Sequence, residues 1–164
     1  MLNPSTFIVA NVLIFQLAWF SAALIPEYAF SILAALLLLH FLLSPQRIAD
    51  AKLLPLALVG FTLDNLLIEF GWLVVNTESR WWLLLLWCHF VLSCNHSLAF
   101  VLNMPRLMVG LLGAAGGVLS YYGALQFGVM SSPLALSEFV LIWAVWWAVL
   151  FTGISYWLNR QGTS

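Results

Sequence analysis

Apolar residues in this chain do not recur at the spacing of a surface helix. They fill long runs, cut by short clusters of proline, serine, asparagine and charge. A helix that crosses a bilayer needs about 20 consecutive apolar residues. Runs of that order lie at approximately 5–25, 28–44, 53–75, 81–102, 106–128 and 133–158. The breaks are Pro26-Glu27, Ser44 to Arg47, Asn76 to Arg80, Asn103 to Arg106 and Ser131 to Pro133. Such short connections make neighbouring helices antiparallel and adjacent. The pattern therefore predicts an all-α, polytopic membrane bundle, one domain of six transmembrane helices over residues 1–164. No internal repeat and no inverted pair of broken helices is visible.

Charge orients this bundle. With both termini cytoplasmic, the inner loops carry Arg47, Lys52, Arg106 and Arg160, and the outer loops carry only Arg80. That asymmetry follows the positive-inside rule. Trp81 and Trp82 are then expected in the outer aromatic belt, and Tyr156 and Trp157 in the inner one. The opening MLNPSTF lacks a positive n-region and a cleavage site, so the first run is expected to stay as an anchor. Composition agrees: 64% of residues are hydrophobic and 7% charged, against about 25% charged in a soluble domain. The net charge of −1 leaves no basic surface for nucleic acid.

Against this apolar background, polar residues stand out. The first span holds Asn11 and Gln16, expected to be interhelical hydrogen-bonding groups. His40 near the end of the second reads as a neutral, packed or interfacial imidazole. Asp64 sits near the middle of the third span, where a carboxylate is penalised by roughly 2.5–3.5 kcal/mol. Glu69 lies nearer the outer end, on a face with Thr62, Asn65 and Asn76 that points away from Asp64. The two acids are therefore not a paired dyad.

The fourth span, WWLLLLWCHFVLSCNHSLAFVL, is the most polar inside. Continuous helical spacing puts His89, Ser93 and His96 on one face, with Asn95 and Cys88 on a neighbouring one. Depth counted from the outer hairpin brings Asp64 between His89 and Ser93, so a carboxylate–imidazole contact is available. His96 is its expected partner, and His89 is expected to satisfy Glu69. The two histidines are about 10 Å apart along such a helix, too far to share an ion, and there is no HExxH or CxxC spacing. No metal and no cofactor are expected. Cys88 and Cys94 point in different directions and should not form a disulfide.

The fifth span carries a stripe of small residues, Gly110, Gly113, Gly117, Ser120 and Ala124. It reads either as close helix packing or as a groove for a flat or long apolar ligand, with Tyr121, Tyr122 and Gln126 at its mouth. Ala18 and Ala22 make a second small-residue pair. The sixth span is expected to start at Ser131 to Pro133. Its Trp143, Trp146 and Trp147 are packing aromatics or a ligand wall.

Taken together, NVLIFQLAW, Asp64, CNHSLAF and GLLGAAGGVLSYYG resemble a bacterial membrane family catalogued as domain of unknown function 2878. The matching positions are Asn11, Phe15, Gln16, Trp19, Asp64, Asn95, His96, Ser97, Gly113, Gly116, Gly117, Ser120 and Tyr121, in order over nearly the whole chain. Val118 stands where the family pattern has proline, so no kink is implied there. The resemblance implies a multi-pass protein of the bacterial inner membrane, supplies no activity or cofactor, and tilts the expected ligand toward lipid.

Three functions compete. The first is an intramembrane site that binds or modifies a lipid-like apolar molecule. Asp64 and His96 would be its acid–base pair, with Gln16, Asn95, His89, Ser93, Ser97, Glu69 and Tyr121 as ligand-binding residues. The second is a small substrate-binding or proton-coupled transport subunit, and the third is a structural or assembly protein without a ligand. Expected partners are membrane lipids or an apolar small molecule, and a membrane protein or a second copy docked through small-residue faces.

Overall fold

The structure, a computed structural model, describes residues 2–161. Long helices dominate: α1 (Pro4–Leu24), α2 (Pro26–Leu43), α3 (Arg47–Glu69), α4 (Trp81–Asn95), α5 (Ala99–Leu102), α6 (Arg106–Gln126) and α7 (Leu136–Gln161), with strands β1 (Val74–Val75) and β2 (Met130–Ser131). Five of these, α1, α2, α3, α6 and α7, are long and apolar enough to cross a membrane. Large aliphatic side chains exposed along them, such as Leu38, Leu107, Leu119 and Val149, match a bundle that presents its surface to hydrocarbon.

Element boundaries follow local chemistry. Asn3 caps α1 by accepting the Thr6 N–H at 2.8 Å, and Pro4 occupies the first turn, where its missing N–H costs nothing. Helix α2 stops before Pro45, which disfavours the helical region at Ser44; Ser44 is extended, at φ −60 and ψ 133. Helices α3 and α6 end alike, on glycines with left-handed backbone, Gly71 at φ 72 and Gly128 at φ 75. The chain then turns into β1 and β2, which pair antiparallel with Val74 opposite Ser131 and Val75 opposite Met130. Asn76 donates to the Gly128 carbonyl at 3.0 Å and ties these two ends together.

Three expectations change here. Helix α3 begins at Arg47, six residues before the expected 53, because nothing in RIADAK stops a helix. Helix α7 begins at Leu136, and Glu138, rather than a serine, accepts the Ala135 N–H at 3.1 Å. The expected continuous span 81–102 is broken: α4 ends at Asn95, and His96 leaves the helix at φ −128 and ψ −90. At about 1.5 Å per residue α4 alone is near 22 Å long, short of the roughly 30 Å hydrocarbon core.

Two bodies of packing result. Helix α4 meets α1, α2 and α3, while α6 pairs with α7 and approaches the rest chiefly through α5 and the strands. The main core holds Leu33, Ala57, Trp82, Trp87, Val91, Phe139 and Trp143. Trp82 is buried rather than in an outer belt and donates to Thr77 Oγ1 at 3.1 Å; Trp81 is exposed and stacks on Phe61. Tyr156 is exposed beneath the guanidinium groups of Arg106 and Arg160. Ala18 and Ala22 are buried within this chain, so that small-residue face is not free to dock a partner. Cys88 and Cys94 are both free thiols.

Candidate functional site

Helix α3 buries Asp50, Leu53, Ala57, Gly60, Asp64 and Leu67. Their alternating spacing of three and four residues makes one continuous stripe. It carries two acids, separated by fourteen positions, or about 21 Å along the axis. Each acid sits in its own polar cluster.

Asp64 is the inner wall of a cavity. It accepts the Trp87 indole N–H at 2.7 Å and the Tyr121 hydroxyl at 2.5 Å. The cavity, of about 350 Å³, lies where the α6–α7 pair stands off from α1, α3 and α4. Its walls are almost wholly apolar: Phe15, Trp19 and Ala22 from α1, Trp87 and Phe90 from α4, Leu112 and Gly116 from α6, and Trp147 and Phe151 from α7. Asp64 and Tyr121 are the ionisable side chains among its lining residues.

Two glycines set the wall. Trp87 and Trp147 stack with ring centroids 5.4 Å apart and planes within 7°. A Cβ at Gly60 would fall into the Trp87 ring, and one at Gly117 into the Trp147 ring. The stacked indoles are thus pressed between two bare helix backbones. Gly113 similarly faces Phe151, whereas nothing stands within 4 Å of a Cβ at Gly116. Gly113 and Gly117 of the small-residue stripe therefore pack, and Gly116, beside that stripe, lines open space.

The second cluster surrounds Asp50, in the first turn of α3, where a carboxylate also favours the positive helix end. Its Oδ2 lies 3.1 Å from His40 Nε2 and accepts the Ser44 hydroxyl at 2.5 Å. Its Oδ1 lies 2.8 Å from His96 Nε2 and accepts the Asn95 amide at 2.8 Å. Asp50 and His40 are fully buried, and the His96 side chain is 6% exposed. The break after α4 creates this convergence, because it lets His96 swing out of the helical register toward α3. The break is held by Asn11 of α1, whose Oδ1 accepts both the Ser97 hydroxyl at 2.5 Å and the Ser97 N–H at 3.2 Å. Phe7 packs edge-on against both imidazoles, 5.1 Å from His40 and 4.7 Å from His96.

The expected Asp64–His96 pair is not formed. His96 bonds Asp50 at the far end of the stripe, and Asp64 bonds Trp87 and Tyr121. His89 does not serve Glu69; its Nε2 lies 3.0 Å from the Leu33 carbonyl, and Glu69 pairs with the exposed Arg80 at 3.2 Å. Ser93 returns its hydroxyl to the Phe90 carbonyl at 2.6 Å. The stripe His89–Ser93–His96 is therefore not one site. Gln16 is exposed on the outside of α1, away from both clusters. Asn95 and Ser97 join the Asp50 cluster and the helix break, and of the expected ligand-binding residues Tyr121 joins Asp64.

Asp50 is the principal residue missed by sequence reading. Carrying the heptad back from Asp64 through Ala57 would have reached it.

The family model described as "Protein of unknown function (DUF2878)" matches residues 8–153, most of the chain. No curated protein matches. No solved structure matches.

Proposed function

The chain belongs to that family of unknown function, and from this premise we propose that it is a multi-pass membrane protein that binds a lipid-like apolar molecule in the cavity beside Asp64. The observation that carries this reading is the cavity itself. Its volume of about 350 Å³ is in the range of small-molecule sites, which are apolar with a few convergent polar groups. Here the polar groups are Asp64 and Tyr121, at one wall of an aromatic chamber. A long or flat apolar body would lie along Gly116 and the Trp87–Trp147 stack, with a hydroxyl or carbonyl directed at the Asp64–Tyr121 pair. Binding in this reading uses Asp64 without His96.

We place the protein in the bacterial inner membrane with six crossings and both termini cytoplasmic. The fourth crossing is interrupted, made of α4, the turn at His96 to Leu98, and α5. Irregular backbone at membrane depth is tolerated where protein covers it, and Asn11 supplies that cover. Labelling of single cysteines introduced at Thr77 and at Gln46 would locate the outer and inner loops; labelling of both from the same side contradicts the topology.

Gly116→Leu tests the cavity. Its side chain would enter open space, so folding should be kept while the chamber is filled. Native mass spectrometry of the purified full chain is expected to find a co-purifying apolar adduct that is lost in Gly116→Leu and weakened in Asp64→Asn. An identical adduct pattern in wild type and Gly116→Leu, with both folded, would refute the reading.

A further inference from the structure

We propose that His40, Asp50 and His96 bind one divalent first-row transition-metal ion, zinc or iron(II). This goes beyond the cavity reading and stands apart from it, since Asp50 is about 21 Å along α3 from Asp64.

Two imidazoles and one carboxylate, from α2, α3 and the break after α4, converge at one buried cluster. Their ligand atoms all lie within 4.8 Å of one another. His40 Nε2 lies 3.1 Å from Asp50 Oδ2, and His96 Nε2 lies 2.8 Å from Asp50 Oδ1. Around a tetrahedral ion with bonds of about 2.1 Å, ligand atoms sit about 3.4 Å apart. The two imidazole–carboxylate contacts would lengthen by about 0.3 and 0.6 Å to accept an ion. Two histidines and a carboxylate form the ligand set of facial-triad iron and of three-ligand zinc sites, which keep open positions for water or substrate.

The surroundings supply second-shell contacts. The Ser44 hydroxyl and the Asn95 amide each donate to a different oxygen of Asp50, which would fix the carboxylate as an oriented ligand. Phe7 fixes the planes of both rings. His96 is the partly accessible edge, so an ion would enter there. One feature tempers affinity. His40 Nδ1 is buried without a hydrogen-bond partner. Metal on Nε2 would put the ring proton on Nδ1, without the acceptor that metal-bound histidines usually have. Loss of such an acceptor weakens metal affinity by about 10–100-fold.

Chemically, hydrogen bonding to Asp50 uses the Nε2 protons of both rings. Metal binding needs the other tautomer of each ring, with the proton on Nδ1 and the Nε2 lone pair on the ion.

The test uses the purified full chain in detergent, stripped with a chelator and titrated with Co²⁺. Uptake of one ion per chain is expected, with the visible bands of a four- or five-coordinate nitrogen–oxygen site, displaced by Zn²⁺. His96→Gln and Asp50→Asn are expected to lose affinity at least 10-fold, whereas Asp64→Asn keeps it and weakens only the apolar adduct. Elemental analysis of the protein purified without chelator distinguishes zinc from iron. Absence of cobalt uptake in wild type overturns the proposal, even if a variant fails to fold. So does equal uptake by a folded His96→Gln, and the cluster is then a hydrogen-bonded one only.

Discussion

Replacing Asp64 with asparagine and with leucine separates two accounts of this buried acid. In the structure its two oxygens each take one proton donor, from Trp87 at 2.7 Å and Tyr121 at 2.5 Å. Indole N–H only donates, whereas a phenol hydroxyl both donates and accepts. Asparagine can therefore keep both contacts: its carbonyl oxygen takes Trp87, and its amide donates to a Tyr121 hydroxyl that has turned. The expected loss for Asp64→Asn is at most about 2 kcal/mol, the difference between charged and neutral hydrogen bonds over two contacts. Leucine, close in size, offers no acceptor. It leaves two buried donors unpaired, at about 1–3 kcal/mol each, so Asp64→Leu should cost about 2–6 kcal/mol. Reversible unfolding in mixed micelles, followed by tryptophan fluorescence, measures both. Trp87→Phe should cost stability in wild type but little in Asp64→Leu, because the unpaired N–H leaves with the indole. Equal stabilities of the two Asp64 variants within about 0.5 kcal/mol would refute this donor accounting. An equal cost of Trp87→Phe in both backgrounds would refute it as well.

Other outcomes follow from the same packing. Gly60→Ala and Gly117→Ala each drive a methyl into a stacked indole and should destabilise by about 1–3 kcal/mol. Gly116→Ala meets nothing within 4 Å and should be neutral or stabilising by up to about 1 kcal/mol; the three melting temperatures decide whether glycine is needed at each position. Asn11→Ala removes the acceptor for two Ser97 donors and should cost about 1–3 kcal/mol, with faster amide exchange at Ser97; unchanged exchange there would show that Asn11 does not hold the break. Glu69→Gln removes an ion pair whose side chains are 69% and 42% exposed. It should alter stability by less than about 1 kcal/mol, and a larger drop in melting temperature would contradict a solvent-screened pair.

Much of the architecture was written in the apolar runs. Four long helices lie within about three residues of where unbroken hydrophobicity placed them, and α3 lies six residues earlier, because a segment of that length in hydrocarbon must satisfy its own backbone. The separation of Asp64 from Glu69 was likewise legible, since helical periodicity alone puts them on different faces. The polar run after Cys88 was visible as costly, but its meaning was not. Reading it as one uninterrupted helix placed His96 on one face with His89 and made it the expected partner of Asp64.

What decided otherwise was non-local. His96 leaves the helix where Asn11, 86 positions earlier in the chain, accepts the Ser97 N–H and hydroxyl, a contact no window around His96 contains. Asp50 falls before the expected span 53–75 because the apolar run begins after it; helix extends back through polar residues once Ser44-Pro45 has turned the chain. Periodicity along α3 could have joined Asp50 to Asp64, but not to His40 or His96, which only the packing of α2 and α4 brings near. The cavity, too, belongs to the tertiary level. Gly113, Gly116 and Gly117 are alike in sequence, yet two meet aromatic rings and one meets open space, according to where α7 lies. Sequence by itself determined that this chain forms a helical membrane bundle and which residues are too polar to be idle there. Tertiary structure decided which of them meet, because hydrophobic burial selects a face and a length, while pairing depends on the separation and rotation of different helices.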